Sequence, residues 1–413
     1  MATTAQDIKR RLEENWIHFL NANSTSLTLE TLSGATPPSV FVGRYGYPKK
    51  VKVGPMIPPI HGNTAILDMP EMWLGKTIEE IVNYRLSLVR GLSNINIHTT
   101  SGRYIESLQE LAMASKPAES EATFEKRPIV DIEQEKDSGL DIDSAPFGPA
   151  APLKTFKTSS SLSIDQRLEN AFYDKDLRAA EAVVRLYHRY GIEVSRIHRV
   201  LSMGMLGLQK NRRLVPTRWS ISATDDIISA SLLKRLTEEA YQTIDFFEVY
   251  RYYHLGNYYS IMLIPDNVWR FEMQEIWFDN NGNMRIGVDF ENAKGLDHYP
   301  SIAGAYFAAR LGVTEHLFKR RKKAAVLVLR EIRPEYVMPI GVWQIREGIR
   351  DALKGKGKGK GKKQHFDDFE QAMSFACANL SISKKEVISN SKLYKNVREQ
   401  ARITDYFFKN DTG

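Results

Sequence analysis

The chain has 413 residues and a formal net charge of +7, and 42% of its residues are hydrophobic. This length predicts two or three folded units with enough apolar side chains for a sizeable core. The single cysteine, Cys377, excludes an intramolecular disulfide and a zinc site built on several thiolates, and the lack of a long apolar run excludes a membrane-spanning helix.

The N-terminal region contains two amphipathic patterns with helical spacing. Residues 5–22 place apolar side chains on one helical face, and the charged start of the chain lacks the apolar core of a signal peptide, which favours a cytoplasmic location. Thr77–Arg90 predicts the second helix, because Thr77 and Glu80 have the spacing of a capping box.

The segment between these two patterns, Phe41–Gly62, cannot form a long helix because glycines and prolines interrupt it. It places Arg44, Tyr45 and Tyr47 between glycines and a proline. Two interpretations remain open. The segment is either a loop with packed tyrosines or an exposed loop that presents Arg44 and the tyrosines to a phosphate or a base.

The middle of the chain is predicted to hold an acidic loop followed by helices. Residues 115–146 lack periodicity and carry an excess of acidic side chains, which predicts a disordered loop. Helical spacing then runs from Ile164 to about Leu208. Pro216 interrupts it, and Thr224 is expected to cap a helix in the segment DDIISASLLKRL.

Beyond residue 243 the pattern changes to β-prone runs separated by turn signals, of which Asn281-Gly282 is the strongest. We predict a four-stranded antiparallel meander from Ile244 to Phe290, a helix over Tyr299–Phe318 and a buried strand over Ala324–Leu329. Because strands and helices are segregated rather than alternating, the predicted fold class is α+β.

The last sixty residues are basic. Lys354–Gly413 contains thirteen Lys or Arg and seven Asp or Glu. Within it, the sequence KGKGKGKGKK at 354–363 predicts a flexible basic linker, because glycine disfavours a helix and lysine disfavours collapse. Such an end is expected either to meet a polyanion or acidic partner or simply to stay solvated.

Enzyme motifs are missing from the sequence. We find no phosphate-binding GxxxxGK[ST], no GxGxxG after a strand, no HExxH and no GxSxG, and Cys377 reads as a buried helix residue. Weak catalytic candidates are Asp289, Glu291 and Glu331, since carboxylates at neighbouring strand ends can hold a divalent metal for phosphodiester cleavage. Alternatively, these three carboxylates simply lie at strand ends that are exposed to solvent and bind no metal. Whether the protein is an enzyme stays open, and a metal cofactor enters only under this nuclease hypothesis.

A basic run, Lys319, Arg320, Arg321, Lys322 and Lys323, follows the predicted helix. Cations at a helix C-terminus complement its dipole, and the same side chains are candidates for contact with DNA phosphate, as is Arg44. Further guanidinium groups in this part of the chain come from Arg310, Arg330, Arg333, Arg346 and Arg350.

The last fourteen residues, QARITDYFFKNDTG, contain an apolar cluster. Gln400, Ile403, Tyr406 and Phe407 have the spacing Q-x-x-h-x-x-a-a, with h aliphatic and a aromatic. In a turn of about three residues, Ile403 and Tyr406 stack on one side with Phe407 beside them. This spacing matches the PIP box, the peptide that docks on the sliding clamp PCNA. The alternative is a helix packed on the protein's own core.

Seven long segments together carry a family resemblance. They are FVGRYGYPKKVKVGP (41–55), APFGPAAPLKTF (145–156), YDKDLRAAEAV (173–183), RLVPTRWSIS (213–222), AGAYFAARLGVTEHL (303–317), RRKKAAVLVLREIRPEY (320–336) and GVWQIREGIR (341–350). With them the chain resembles the archaeal Nre DNA-repair proteins over most of its length. The tail motif corresponds to that family's clamp-binding motif. Some members carry a cysteine-rich, zinc-type N-terminus, whereas no cysteine precedes Cys377 here.

The resemblance implies a DNA-damage repair factor that PCNA recruits, with DNA as a further partner and no membrane, in a cytoplasmic and nucleoid-associated location. It implies no catalytic residues. The expected regions are a lead-in at 1–36, an N-terminal region at 37–295, a C-terminal region at 296–398 and the tail at 399–413. Two other hypotheses stay open: a metal-dependent repair nuclease and a non-catalytic clamp-binding adaptor.

Overall fold

The computed structural model describes residues 30–129, 148–158, 162–279, 281–336, 338–355 and 360–399. These residues form two compact units, which lie within Met1–Ser231 with Val337–Glu347 and within Leu232–Tyr336 with Gly348–Gly413. We call them unit 1 and unit 2. The predicted regional boundary after residue 295 does not coincide with the division after Ser231. The helix predicted over 5–22 lies outside the described residues.

Unit 1 is built around a mixed six-stranded sheet. Its strands are β1 (Thr31–Thr36), β2 (Val40–Val42), β3 (Lys50–Ile57), β4 (Val89–Asn96), β5 (Ala118–Phe124) and β6 (Ala150–Thr158). Their order is β1-β5-β6-β4-β3-β2, in which β4 and β6 are parallel and the other neighbours are antiparallel. Leu32, Ile57, Val89 and Phe124 pack together in a buried core.

Strand β5 corrects the prediction of a disordered loop over 115–146. The sequence AESEATF alternates buried residues with exposed ones such as Glu119 and Glu121, and the strand pairs with both β1 and β6. A strand with one solvated face can carry many charges, because every second side chain points to solvent. The rest of the predicted loop from residue 130 onward lies outside the described residues.

The helices of the described chain can be given in sequence order. They are α1 (Ile78–Leu86), α2 (Arg103–Met113), α3 (Gln166–Tyr173), α4 (Ala179–Val184), α5 (Val194–Ser202), α6 (Thr217–Glu238), α7 (Gly304–Arg320), α8 (Trp343–Ala352), α9 (Phe369–Cys377), α10 (Lys384–Asn390) and α11 (Lys392–Glu399). Short 3-10 turns cover Ala65–Asp68, Pro70–Met72 and Gln209–Asn211, and a π-helical turn covers Arg185–Arg189.

The capping box predicted at Thr77 is confirmed. The Thr77 hydroxyl accepts the Glu80 amide at 3.1 Å, and the Glu80 carboxylate accepts the Thr77 amide at 2.8 Å. Helix α1 ends at Leu86 rather than at the predicted Arg90, because the chain enters strand β4 at Val89.

The cap predicted at Thr224 is wrong. Thr224 lies inside α6, where its hydroxyl donates to the Ser220 carbonyl at 2.8 Å. The helix instead begins directly after Pro216. Proline suits the start of a helix, since its missing N–H has no partner in the first turn anyway.

Unit 2 contains a second six-stranded sheet and a short two-stranded ladder. Its strands are β7 (Gln242–Thr243), β8 (Phe247–His254), β9 (Asn257–Ile264), β10 (Arg270–Phe278), β11 (Met284–Asn292), β12 (Lys322–Lys323), β13 (Ala325–Ile332) and β14 (Lys360–Phe366). The large sheet has the order β11-β10-β13-β9-β8-β14, and β7 pairs with β12.

This sheet confirms the α+β class but corrects the four-stranded meander. The pairs β8–β9 and β10–β11 are antiparallel neighbours. Strand β13 lies between β9 and β10, antiparallel to the first and parallel to the second. All eight residues of β13 are buried, so its continuous apolar run occupies a central position with a strand on each side.

Strand β14 corrects the flexible linker predicted over 354–363. Its Lys360–Lys363 portion pairs antiparallel with β8, and Gly361 lies opposite Tyr252. A Cβ at Gly361 would lie 3.4 Å from the Tyr252 ring, which is an ordinary van der Waals contact. The Lys-Gly alternation has the two-residue period of a strand. Residues 356–359 of the tract lie outside the described part of the chain.

Helices cover the large sheet of unit 2 from opposite sides. Tyr306 of α7 packs against Phe271 on one face, with ring centroids 5.0 Å apart. Leu327, which the register places on the other face, shares a buried cluster with Met373 of α9. Cys377 is buried in α9 as predicted, and burial raises the pKa of its thiol to about 11. Among the described helices, none is long and apolar enough to cross a membrane.

Candidate nucleic-acid interface

The three carboxylates predicted to share a metal lie on opposite faces of one sheet. Asp289 lies opposite Met273 on β10, and Glu291 follows it at the two-residue spacing that keeps it on the same face. Glu331 of β13 lies opposite Ile276, three residues further along β10 and therefore on the other face. The sheet backbone separates Glu331 from the other two, so the predicted metal site is not formed.

Each of these carboxylates has protein partners of its own. Glu291 accepts a hydrogen bond from Arg310 at 2.8 Å. Asp289 accepts the Ser301 hydroxyl at 3.0 Å and the Ile302 amide at 2.8 Å. Across the described residues, no group of three His, Cys, Asp or Glu side chains is arranged to hold a metal ion. These side chains therefore contribute hydrogen bonds and an ion pair to the tertiary structure.

The arginines expected to extend a phosphate-binding set form internal ion pairs instead. Three of them, Arg310, Arg330 and Arg346, are 4% exposed or less. Breaking such a buried pair leaves an uncompensated charge, which costs about 3–5 kcal/mol. These guanidinium groups therefore stabilise the folded structure through their ion pairs. The pairs are Arg310–Glu291, Arg330–Glu275, Arg333–Glu331, Arg346–Asp225 and Arg350–Glu315.

The basic run at the end of α7, Lys319–Lys323, is divided between internal and exposed side chains. Arg320 binds the Glu248 carboxylate through two hydrogen bonds, at 2.8 and 2.7 Å. Lys322 donates to the Thr243 carbonyl at 2.9 Å. Lys323 likewise donates to a backbone carbonyl, at 3.3 Å. The exposed members of the run are Lys319 and Arg321.

Strand β14 brings one further lysine to the carboxylate that Arg320 binds. The Lys363 ammonium lies 3.3 Å from Glu248, so the end of α7 and strand β14 meet at one carboxylate. Burial by itself would raise the pKa of Glu248, but Arg320, Tyr250 and Lys363 together hold it at about 2. We call the exposed cations around this point the basic edge. They are Lys319, Arg321 and Lys363.

Arg44 lies in unit 1, on the loop between β2 and β3. Its guanidinium lies 5.3 Å from the centroid of the Tyr45 ring. Tyr47 packs edge-on against Trp219, with ring centroids 4.7 Å apart. The packed Tyr47 fits a loop with packed tyrosines, whereas Tyr45 is exposed. The interpretation as a loop that binds a phosphate or a base stays a prediction. Sequence reasoning did not single out Trp219, which reaches the loop only through tertiary structure.

Buried polar side chains of the unit 2 sheet hold the C-terminal helices. Glu272, which is 0% exposed, accepts the Leu393 amide in the first turn of α11 at 2.8 Å. Gln274 donates to Glu272 at 2.8 Å and to the Val387 carbonyl at 3.1 Å. Desolvation by burial raises the pKa of Glu272. On the same face, Glu331 accepts the amide and the hydroxyl of Ser381.

These anchors fix the chain just before the predicted clamp-binding motif. Helix α11 starts at Lys392, one residue before the anchored amide, and ends at Glu399. The four motif residues, Gln400, Ile403, Tyr406 and Phe407, lie outside the described residues, so their assignment stays a prediction.

A cavity of about 800 Å³ opens in unit 1. Its lining includes the acidic side chains Glu106, Glu110 and Glu169 and the exposed ring of Tyr173. Arg212 also lines it, but its guanidinium donates to three backbone carbonyls and holds the cavity wall. Sequence reasoning did not predict this cavity, because its lining comes from segments more than a hundred residues apart.

Two family models match the chain. The archaeal Nre N-terminal model matches residues 12–281, and the archaeal Nre C-terminal model matches residues 291–406. No solved structure matches the chain.

Curated relatives cover most of the same length. A DNA repair protein NreB of Archaeoglobus fulgidus is 36% identical over 372 residues, which are 89% of this chain and 90% of the relative. A DNA repair protein NreA of the same organism is 35% identical and covers 85% of each chain. The NreA of Haloferax volcanii is 34% identical and covers 79% of each.

Proposed function

The chain belongs to the archaeal Nre family, and on that premise we propose that it is a DNA-repair factor recruited to DNA by the sliding clamp PCNA. The relatives named above as DNA repair proteins support the repair role. The predicted PIP motif supports recruitment by the clamp. The function implies a cytoplasmic, nucleoid-associated location, which stays a prediction.

One observation carries the clamp proposal. The motif Gln400–Phe407 follows directly after α11, whose first turn is anchored by the buried carboxylate of Glu272. A short peptide that begins at such a point can dock without disturbing the sheet behind it. Burying Ile403, Tyr406 and Phe407 supplies several kcal/mol before ordering costs, which is enough for roughly micromolar affinity.

The basic edge supports contact with DNA. Lys319, Arg321 and Lys363 present cations from two chain segments at one side of unit 2. Cations of this kind bind phosphates without sequence preference and lose affinity as salt rises. Tethering to the clamp raises the local concentration of DNA, so weak phosphate contacts suffice.

The structure bears differently on the two other hypotheses, the metal-dependent nuclease and the clamp-binding adaptor. The nuclease hypothesis loses its metal site, because Asp289 and Glu291 face away from Glu331. The adaptor hypothesis, in which the protein binds the clamp and other proteins but not DNA, remains the alternative. DNA binding that weakens with salt argues against an adaptor.

Calorimetric titration of the full chain into the archaeal clamp tests the proposal. We expect micromolar or tighter binding, and a loss of at least about 30-fold in Tyr406→Ala/Phe407→Ala, since buried aromatic anchors are typical hot spots. Phe408→Ala is the matched control, because it removes an adjacent aromatic ring outside the motif. Equal binding by all three proteins would contradict the assignment of the motif.

A further inference from the structure

The loop between β2 and β3 is held in one tight turn by its own backbone. The amides of Lys49 and Lys50 both donate to the Gly46 carbonyl at 3.0 Å, and the Tyr47 amide donates to the Arg44 carbonyl at 3.2 Å. Gly46 has a φ of +86°, and a Cβ there would lie 2.4 Å from the Lys50 carbonyl oxygen. Glycine is therefore required, and the turn exists before any ligand arrives.

Two contacts fix this turn to the start of α6. The Val42 amide donates to the Thr217 hydroxyl at 2.9 Å, and the Tyr47 ring packs edge-on against Trp219. Trp219 nevertheless stays 43% exposed, and Tyr45 on the same turn is 46% exposed. Large aromatic rings are usually more deeply buried, so two half-exposed rings on rigid backbone indicate a binding surface.

The chain around these rings is basic. Residues 41–55 carry four Lys or Arg, residues 213–219 carry two, and neither segment contains Asp or Glu. Backbone bonds bring the segments together: the Leu214 amide donates to the Ile97 carbonyl at 2.7 Å, and the Ile97 amide donates to the Lys49 carbonyl at 3.2 Å. The N-terminus of α6 adds the partial positive charge of the helix dipole.

These features fit a ligand that has planar rings on a polyanionic backbone, and we propose that this surface binds single-stranded DNA. Unpaired bases stack on Tyr45 and Trp219, while phosphates meet Arg44, Lys49 and Lys50. In a duplex the base faces are already stacked on one another, so the rings act only where bases are unpaired. The inference rests on the proposed repair function and extends it by assigning unpaired DNA to unit 1.

Fluorescence anisotropy with a labelled oligothymidylate of about 20 nucleotides tests the inference on the full chain. Base–aromatic stacking contributes about 1–3 kcal/mol per base, so Tyr45→Ala/Trp219→Ala is expected to weaken binding at least about tenfold. Binding to a duplex of the same length should change less than about twofold, because stacked base pairs do not reach the rings. The double variant also removes the edge-on contact between Tyr47 and Trp219. The single variant Tyr45→Ala keeps that contact, and it should weaken oligothymidylate binding at least about fivefold.

The control variant is Tyr173→Ala/Tyr299→Ala, which removes two rings that are 65% and 67% exposed elsewhere. Its affinity for the oligothymidylate should equal that of the wild type. Equal binding by the Tyr45→Ala/Trp219→Ala variant, or no binding by the wild type, would overturn the inference. Poly-glutamate competing as strongly as the oligothymidylate would overturn it in favour of an acidic protein partner.

Clamp titrations on the same proteins separate this inference from the function on which it rests. The Tyr45→Ala/Trp219→Ala protein should bind the clamp as the wild type does. If the wild-type protein does not bind the clamp, the recruitment proposal is wrong, while the measurement of binding to single-stranded DNA still stands. If the wild-type protein binds the clamp but does not prefer the oligothymidylate to the duplex, only the inference about single-stranded DNA is wrong.

Discussion

The carboxylate of Glu248 accepts two hydrogen bonds from Arg320 and thereby joins strand β8 to the end of α7. Lys363 of β14 approaches the same carboxylate, and the Tyr250 hydroxyl donates to it at 2.7 Å. One buried acid thus assembles cations from two segments that lie more than forty residues apart in the chain.

We expect Glu248→Gln to destabilise the protein in a pH-dependent way. The pKa of Glu248 is about 2 in the fold against an ordinary value of 4.5, so the ionised carboxylate favours folding. That contribution is complete above about pH 5 and is lost as the pH falls towards 2. Urea unfolding at neutral pH should show a loss of about 2–3 kcal/mol, which shrinks in acid.

Glu239→Gln is the control for this experiment, because Glu239 is exposed in the same unit. It should leave the free energy of unfolding unchanged to within about 0.5 kcal/mol. A loss in Glu248→Gln that stays the same from pH 7 to pH 3 would contradict the role of the ion pair.

Glu272→Ala is expected to loosen α11 without unfolding the sheet. The substitution leaves the Leu393 amide and the Gln274 side chain without their buried acceptor, which costs about 1–3 kcal/mol. Hydrogen exchange should become faster in the amides of α11, while those of α7 stay protected. Glu335→Ala, at an exposed position of the same unit, is the control and should leave the exchange rates of the α11 and α7 amides unchanged. Equal protection of α11 in all proteins would show that the carboxylate does not hold it.

Charge reversal on the basic edge should weaken duplex DNA binding in a salt-dependent manner. Lys319→Glu/Arg321→Glu removes two phosphate contacts, so the slope of log affinity against log salt should fall by about 2. Lys234→Glu/Lys385→Glu reverses two exposed lysines elsewhere in unit 2 and serves as the control. If both variants show the same slope of log affinity against log salt, DNA does not contact the protein at the basic edge.

Magnesium should not stabilise the protein through the three carboxylates. Because Asp289 and Glu331 lie on opposite faces of the sheet, they cannot share one ion. Millimolar Mg²⁺ should therefore leave Tm unchanged to within about 1 °C. A rise in Tm with Mg²⁺ that disappears in both Asp289→Asn and Glu331→Gln would restore a shared site.

Several features could be predicted because they depend on neighbours in the chain. The capping box of Thr77 and Glu80 needs two residues one turn apart, and the burial of Cys377 follows from the apolar residues around it. The α+β class follows from the separation of strand patterns and helix patterns. The strand Ala118–Phe124 is hidden in an acidic composition that is typical of a loop, and only its two-residue period marks it as a strand with one solvated face.

The strand order could not be predicted from local patterns. An apolar run such as Ala324–Leu329 indicates that a strand is central, but it does not say which strands lie beside it. The register that sends Asp289 and Glu331 to opposite faces depends on β10 lying between them. The partners of the arginines likewise lie far away in the chain, as Glu275 does from Arg330.

The sequence by itself indicated the family, predicted a clamp-binding motif and contained the basic runs, because these are properties of consecutive residues. Only the tertiary structure decided which cations remain exposed. Within the basic run 319–323, Arg320 binds Glu248, whereas Lys319 and Arg321 lie at the surface. The tertiary structure also brought Trp219 to Tyr47 across more than 170 residues. Such contacts arise from chain packing, which no spacing within a short segment can encode.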